Sequence, residues 1–283
     1  MKTAATLYVV ATPIGNLEDM TFRAARILAE VSVIAAEDTR HSRKLLHHYG
    51  ISTPLISYYR ERENSRAEEL MARLLAGESV AIVSDAGTPG ISDPGATLVR
   101  KARAAGIAVV PIPGASALTT AVSVAGFTSS EFLFLGFAPA KGGDRRKWLE
   151  GLTVCAWPLI MYESPRRLLY LLTDMLRIWG DRPAMVAREL TKIFEETAQS
   201  TLSNLLAHNI IQSLRGEYVI IVWPMAAPDK SADDVDGLLR WYRDQGQVSL
   251  KDACRRLAAD LNCPRTEIYQ RALAIWNEGT GDA

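Results

Sequence analysis

The apolar run Val80–Val83, followed by Ser-Asp-Ala-Gly-Thr-Pro-Gly-Ile-Ser-Asp-Pro-Gly at residues 84–95, constrains this chain more than any other stretch. A short run rich in Val and Ile reads as a buried strand. Gly87, Pro89, Gly90, Pro94 and Gly95 then end it abruptly. Glycine lacks a Cβ and tolerates positive φ, so main-chain N–H groups can approach a ligand, while proline keeps the turn rigid. Asp85 and Asp93 are held inside the loop as acceptors. A plain strand-to-helix connection seldom uses so many Gly and Pro. A ligand loop is the better reading.

Similar runs recur at Leu7–Ala11, Val31–Ala36, Leu55–Tyr58 and Ala108–Ile112. Between them, Thr21–Glu30, Glu63–Ala76 and Ala96–Ala105 carry apolar residues at helical spacing, the last two ending at Gly77 and Gly106. This alternation predicts a mostly parallel sheet covered by helices. A second α/β block follows, with strands at Phe132–Phe137, Leu159–Tyr162, Ala184–Ala187 and Tyr218–Trp223 and a helix over Arg166–Trp179 stopped by Gly180. Pro224–Lys230 reads as a linker, and the remainder as wholly helical. There, Ser249 caps a helix through Ala259, Asn262-Cys263-Pro264 turns the chain, and Thr266–Ile275 forms a second helix, as in a helix-turn-helix module. The expected fold class is thus α/β, in two subdomains (1–118 and 119–226), plus a small all-helical C-terminal domain (231–283).

The 32 Lys and Arg balance 32 Asp and Glu, so any claim of nucleic-acid binding must rest on local patches. No apolar run approaches the ~20 residues of a membrane span, and Leu7–Ala11 is too short for a signal-peptide core. Three cysteines without metal-ligand spacing predict a reduced, cytoplasmic setting with no disulfide and no metal. The chain has neither a Gly-x-Gly-x-x-Gly fingerprint nor a P-loop, which argues against a dehydrogenase or an NTP site of those kinds.

Four loops follow predicted strand ends, where open α/β sheets bind ligands. They are Thr12–Asn16, the acid-, hydroxyl- and base-rich Ala36–Lys44, residues 84–95, and Pro113–Ala117. Together with Ala187–Lys192, these motifs resemble the tetrapyrrole-methylase superfamily. Within it the chain is most similar to the branch that methylates a cytidine ribose 2′-oxygen in the decoding region of small-subunit (16S) ribosomal RNA. The resemblance runs through the helical tail. It implies two α/β subdomains with S-adenosylmethionine (SAM) in the cleft between them, and a homodimer acting on small-subunit ribosomal RNA or the 30S subunit. By motif position it places Pro13, Gly15, Asp85, Gly87, Thr88, Ser116, Ala117, Tyr162 and Ala187 at the cofactor. Two departures concern the substrate side: Arg166 stands where the family pattern has His, and Gly142-Gly143 loosens the loop after Lys141.

A ribose hydroxyl must lose its proton as it is methylated, so a positioned base helps. Glu37, Asp38, Lys192, Glu195 and Glu196 are the candidates, with Lys192 and Glu195 spaced as a pair. Expected RNA contacts are Arg40, Arg43 and Lys44 in one cluster and Lys141, Arg145 and Arg146 in another, with Arg255 and Arg256 in the tail. Over 243–271 the tail holds six bases against four acids. Tyr58, Tyr59, Trp148, Trp241 and Tyr242 are candidate stacking surfaces. The competing readings are a methylase of a tetrapyrrole, disfavoured by the basic clusters and the tail, and a non-catalytic RNA-binding protein, disfavoured by the intact ligand loops.

Overall fold

A computed structural model describes residues 5–127, 130–208, 216–224, 235–261 and 264–277. Apart from Pro224 and Pro264, the expected linker at 224–230 and turn at 262–264 lie outside these residues.

The first unit is built from β1 (Thr6–Val10), β2 (Val33–Ala36), β3 (Leu55–Ser57), β4 (Val80–Val83) and β5 (Ala108–Ile112). They form one all-parallel sheet in the order β3-β2-β4-β1-β5. Both faces are covered, which is why β2 and β4 are buried along their whole length. Helices α1 (Phe22–Glu30) and α2 (Thr39–His48) pack Ala24, Ile27, Leu28 and Leu46 on one face. On the other, α3 (Glu63–Leu75) and α4 (Ala96–Ala104) pack Leu70, Met71, Leu74, Leu98 and Ala102. Helix α1 starts where Thr21 Oγ1 accepts from the Ala24 amide at 3.1 Å. Helix α2 carries only two apolar residues but is capped by Asp38, whose Oδ1 accepts from the Arg40 amide at 2.8 Å.

Helix α5 (Ala117–Val124) straddles the boundary expected at 118 and carries the chain to a second sheet. That sheet comprises β6 (Leu133–Phe137), β7 (Leu159–Glu163), β8 (Pro183–Arg188), β9 (Glu196–Thr201) and β10 (Tyr218–Val222), in the order β6-β7-β10-β8-β9. Only β6 and β7 run parallel; the other pairings are antiparallel. Helices α6 (Gly142–Glu150), α7 (Pro165–Trp179) and α8 (Leu202–Ala207) bury one face through Leu149, Leu168, Leu172 and Leu205. The other face receives Ala121 and Ala125 from the α5 segment, together with Ile14 of the first unit. One core therefore spans both units. The Gly142-Gly143 segment, expected to loosen a loop, instead opens α6.

The tail helices α9 (Val235–Asp244), α10 (Leu250–Leu261) and α11 (Arg265–Asn277) share a core of Leu238, Leu239, Tyr242, Cys254, Leu257, Ile268 and Ile275. Tyr242 is buried there and Trp241 half-buried, so neither offers an open stacking face. Trp148 packs against the second unit's core, and Tyr58 is buried in the first.

Arg145, expected to contact RNA, is also buried. Its Nε donates to Asp174 Oδ2 at 2.8 Å and its Nη2 lies 2.7 Å away, joining α6 to α7. The neighbouring Arg146 and Lys147 are the exposed bases of α6. The sequence shows three bases in a row, and only packing decides which turns inward. Removing one member of a buried pair strands the other charge. Arg145→Ala should therefore cost ~3–5 kcal/mol in urea unfolding, whereas Arg145→Met with Asp174→Leu should restore most of that loss.

Candidate active site

The strand order puts the C-terminal ends of β4, β1 and β5 side by side. Their three loops therefore adjoin, although they lie far apart in the chain. Thr12 and Gly87 form an antiparallel bridge, with Thr12 N donating to Gly87 O at 2.9 Å and Gly87 N donating to Thr12 O at 3.0 Å. Thr88 Oγ1 donates to Ala115 O at 3.4 Å, tying the same loop to the β5 end. From the second unit, Tyr162 Oη accepts from the Leu118 amide at 3.0 Å at the start of α5.

A cavity of about 390 Å³ opens between the two sheets. Such a volume suits a small-molecule ligand. Asp85, Gly87, Thr88, Ser116, Ala117 and Tyr162, all expected at the cofactor, line it together with Glu37 and Lys192. Pro13 and Ala187 are buried beside the lining residues Ile14 and Val219. Gly15 faces the loop that follows β8 at very short range: a Cβ there would lie 2.3 Å from Lys192 Cγ. No other residue type fits without moving that lysine. Asn16 N donates to Thr191 Oγ1 at 3.1 Å across the same joint.

The expected Lys192–Glu195 pair does not form. Residues 189–195 are a turn rather than a helix, with Glu189 and Thr191 at φ of +50° and +69°, so helical spacing does not apply. Lys192 Nζ instead donates to Glu189 Oε1 at 2.8 Å and lies 3.7 Å from Glu217 Oε2. Glu195 accepts from the Thr191 amide and does not line the cavity. Glu196 is the first residue of β9 and lies 3.6 Å from Arg188 Nη1. Asp38 is also outside the lining; the Arg40 guanidinium holds its carboxyl well below the usual range.

Sequence reasoning missed Ile14, Phe137, Glu163, Glu189 and Glu217 as lining residues, while Asp93, expected as an acceptor held in its loop, lines the cavity. Glu163 was within reach, since it ends a recognised strand. Glu217 and Phe137 carry no local signal and enter the site only through the second sheet's topology.

The cavity is strongly acidic. Burial raises the Glu37 pKa, and the charge of Asp85 raises it further. Asp93 is pushed up to about 6 by burial and then by the charge of Glu37. Burial also raises Glu163, whose Oε2 lies 3.0 Å from Arg167 Nη2. Asp85 Oδ1 accepts from the Asp38 amide at 3.0 Å, so this carboxylate also braces the start of α2. Glu37 and Asp85 disfavour the charge of Asp93, and these carboxyls together favour a cationic ligand. Because Asp93 titrates near 6 in the folded chain against an ordinary 3.8, the native state retains a proton that the unfolded chain has released. Stability should thus fall as pH rises from about 4 to about 6. Asp93→Asn should flatten that dependence and raise Tm above about pH 6, as read by thermal unfolding across a pH series.

The tetrapyrrole (corrin/porphyrin) methylases match residues 6–206 of the chain. The chain is 47% identical over 273 residues to the ribosomal RNA small subunit methyltransferase I of Xylella fastidiosa, covering 95% of this chain and 99% of that protein. To the protein of the same description from Pseudomonas aeruginosa it is 44% identical over 276 residues, covering 95% and 97%. Among solved structures, the methyltransferase CobJ matches with a TM-score of 0.59 at 19% identity, covering 80% of this chain and 96% of that one. A uroporphyrin-III C-methyltransferase from Thermus thermophilus, complexed with S-adenyl homocysteine, matches with a TM-score of 0.55 at 18% identity, covering 77% and 97%. These two distant likenesses concern the fold. On the family match and the near full-length relatives together, the chain belongs to the tetrapyrrole (corrin/porphyrin) methylases.

Proposed function

We propose that this protein transfers a methyl group from SAM to small-subunit ribosomal RNA, at the 2′-oxygen of a cytidine ribose in the decoding region. The observation that carries the reading is the similarity to ribosomal RNA small subunit methyltransferases I, which covers 95% of the chain and so extends into the helical tail. The family match itself ends at residue 206. A tetrapyrrole methylase of this family would have no evident use for the tail.

The cavity's donor set fits SAM. Glu37, Asp85 and Asp93 supply negative potential suited to a sulfonium and an α-ammonium group, and Thr88 and Ser116 add hydroxyls. In our reading Asp85, Gly87, Thr88, Ser116, Ala117 and Tyr162 hold the cofactor directly. Pro13, Gly15 and Ala187 shape the walls behind them. When bound, SAM supplies an activated methyl carbon. The residues then mainly align the incoming oxygen with it, an arrangement worth up to ~7–11 kcal/mol in favourable cases.

Glu37 is the base we favour, because it lines the cavity and burial makes its carboxylate more basic. Lys192, bound to Glu189, is a donor rather than a proton acceptor. With SAM bound, Glu37 would take the hydroxyl proton as the ribose oxygen accepts the methyl group and the thioether of S-adenosylhomocysteine is left behind. Arg40, Arg43 and Lys44 lie at the start of α2, next to Glu37 in the chain, and are exposed there for phosphate contacts. Lys141, Arg146, Arg255 and Arg256 are exposed as well. Arg255 lies 2.8 Å from Asp252, and Arg271 and Arg243 pair with Asp236 and Asp244, so part of the tail's positive charge is already neutralised.

Ile193 and Phe194, neighbours in the turn after β8, are 95% and 73% exposed, and such apolar side chains suit burial against a second copy of the chain in a homodimer. No helix among the described residues is long and apolar enough to cross a membrane. The cytoplasm is the compartment in which this substrate is found.

Labelled SAM with unmodified 30S subunits should place label on a ribose oxygen; label on a base, or none, would refute the reading. Glu37→Gln should lower kcat by ~10²–10⁴-fold, a far larger effect than its effect on S-adenosylhomocysteine affinity. Because the base acts deprotonated, wild-type kcat should rise with pH through a value above 4.5, and the variant should lose that limb. Deleting residues 231–283 should spare cofactor affinity, lower methylation, and leave the residual activity less sensitive to salt than that of the full chain.

A further inference from the structure

The sequence suggested several aromatic stacking surfaces, and packing withdraws Tyr58, Trp148, Trp241 and Tyr242. One aromatic ring instead lines the cavity and is 53% exposed: Phe137. Its position is built by the backbone. Between Phe134 and Phe137 the pairing of β6 with β7 slips, so that three steps on β6 match two on β7. Gly136 lies within this bulge at φ +65°, a conformation that other residues rarely adopt. Bulges beside active sites commonly re-aim a side chain, and this one turns Phe137 to the cavity mouth.

The Phe137 ring rests against a second aromatic side chain. Tyr162 meets it edge-on with centroids 5.7 Å apart, and Phe134 meets Tyr162 from the core at 4.9 Å. The Leu118 amide, donating to Tyr162 Oη, fixes this support. Gly136 also faces the 84–95 loop, where an added Cβ would lie 3.3 Å from Ser92 Oγ. Arg60 donates from Nη2 to Ser92 O at 2.9 Å, so an exposed guanidinium lies on the same loop. An apolar face, an acidic cavity and a cation thus meet at one mouth.

We infer that Phe137 is the platform on which the unpaired base of the target nucleotide stacks while its ribose enters the cavity. Single-stranded RNA is commonly recognised by stacking splayed bases on aromatic side chains, with cations on the phosphates. The inference rests on the ribosomal RNA reading above.

The test is steady-state methylation of unmodified 30S subunits, with S-adenosylhomocysteine affinity measured in parallel by calorimetry. Phe137→Ala and Phe137→Leu should each raise KM for subunits by about 5- to 150-fold, the range of one base–aromatic stack. Both should keep wild-type affinity for S-adenosylhomocysteine. Leucine preserves apolar bulk without a π face, so its failure separates stacking from simple burial. Phe137→Tyr and Phe137→Trp should retain a KM near that of the wild type. An unchanged KM in Phe137→Ala, with the wild type active, overturns the platform alone. A parallel loss of S-adenosylhomocysteine affinity also overturns it, by making Phe137 part of the cofactor wall. A wild-type protein inert toward subunits removes the functional reading and the platform with it. Loss of porphyrin binding in Phe137→Ala at an unchanged subunit KM would reassign the ring to a macrocycle and overturn the inference.

Discussion

Two main-chain hydrogen bonds between Thr12 and Gly87, at 2.9 and 3.0 Å, hold the loops after β1 and β4 together. The site depends on this bridge. It presents Ile14 toward the second sheet and Asp85 toward the start of α2. Backbone atoms make both bonds, Thr12 Oγ1 reinforces the joint by donating to Ser84 O at 3.3 Å, and Thr88 and Asp85 are left to face the cavity. The second sheet then closes against it through Gly15, Lys192 and Thr191, at a separation only a glycine allows.

That closure brings carboxylates together. Glu37, Asp85 and Asp93 come from the ends of β2 and β4 and the following loop, while Glu163, Glu189 and Glu217 come from the second unit. Burial, and then the charge of neighbouring carboxylates in the first unit, pushes Asp93 up to about 6 and raises Glu37. Lys192 offsets part of this charge but is committed to Glu189. Polar groups placed to disfavour one another cost stability in the free protein, and a cationic ligand recovers that cost. The acidity is therefore best understood as preparation for a bound cation.

Much of the fold was legible because burial leaves a local trace. The β4 and β5 runs match their strands residue for residue, and α1, α3, α4 and α7 lie within a residue of their expected bounds. Strand β9 left no such trace. Glu196–Thr201 is polar and pairs only with β8 at the sheet edge, where no apolar run is required. Helix α2 was ambiguous for a related reason: its cap is clear but only Leu45 and Leu46 mark an apolar face. The antiparallel character of the second sheet was likewise hidden, since strand direction follows from connections and not from composition.

For the site, residue types alone marked loops that prove to line the cavity: the Gly/Pro loop at 84–95, the Pro113–Ala117 turn and the acids at Glu37 and Asp85. These are short-range properties, written in φ preferences and residue type. Only the tertiary structure decided that Arg145 turns into the core to meet Asp174, that Lys192 pairs with Glu189 rather than Glu195, and that Phe137 faces the mouth. Each of those outcomes depends on a partner distant in the chain or on a bulge that rotates one side chain. Periodicity and spacing describe a regular element. They carry no information about where an irregular one points, because that is fixed by packing between elements.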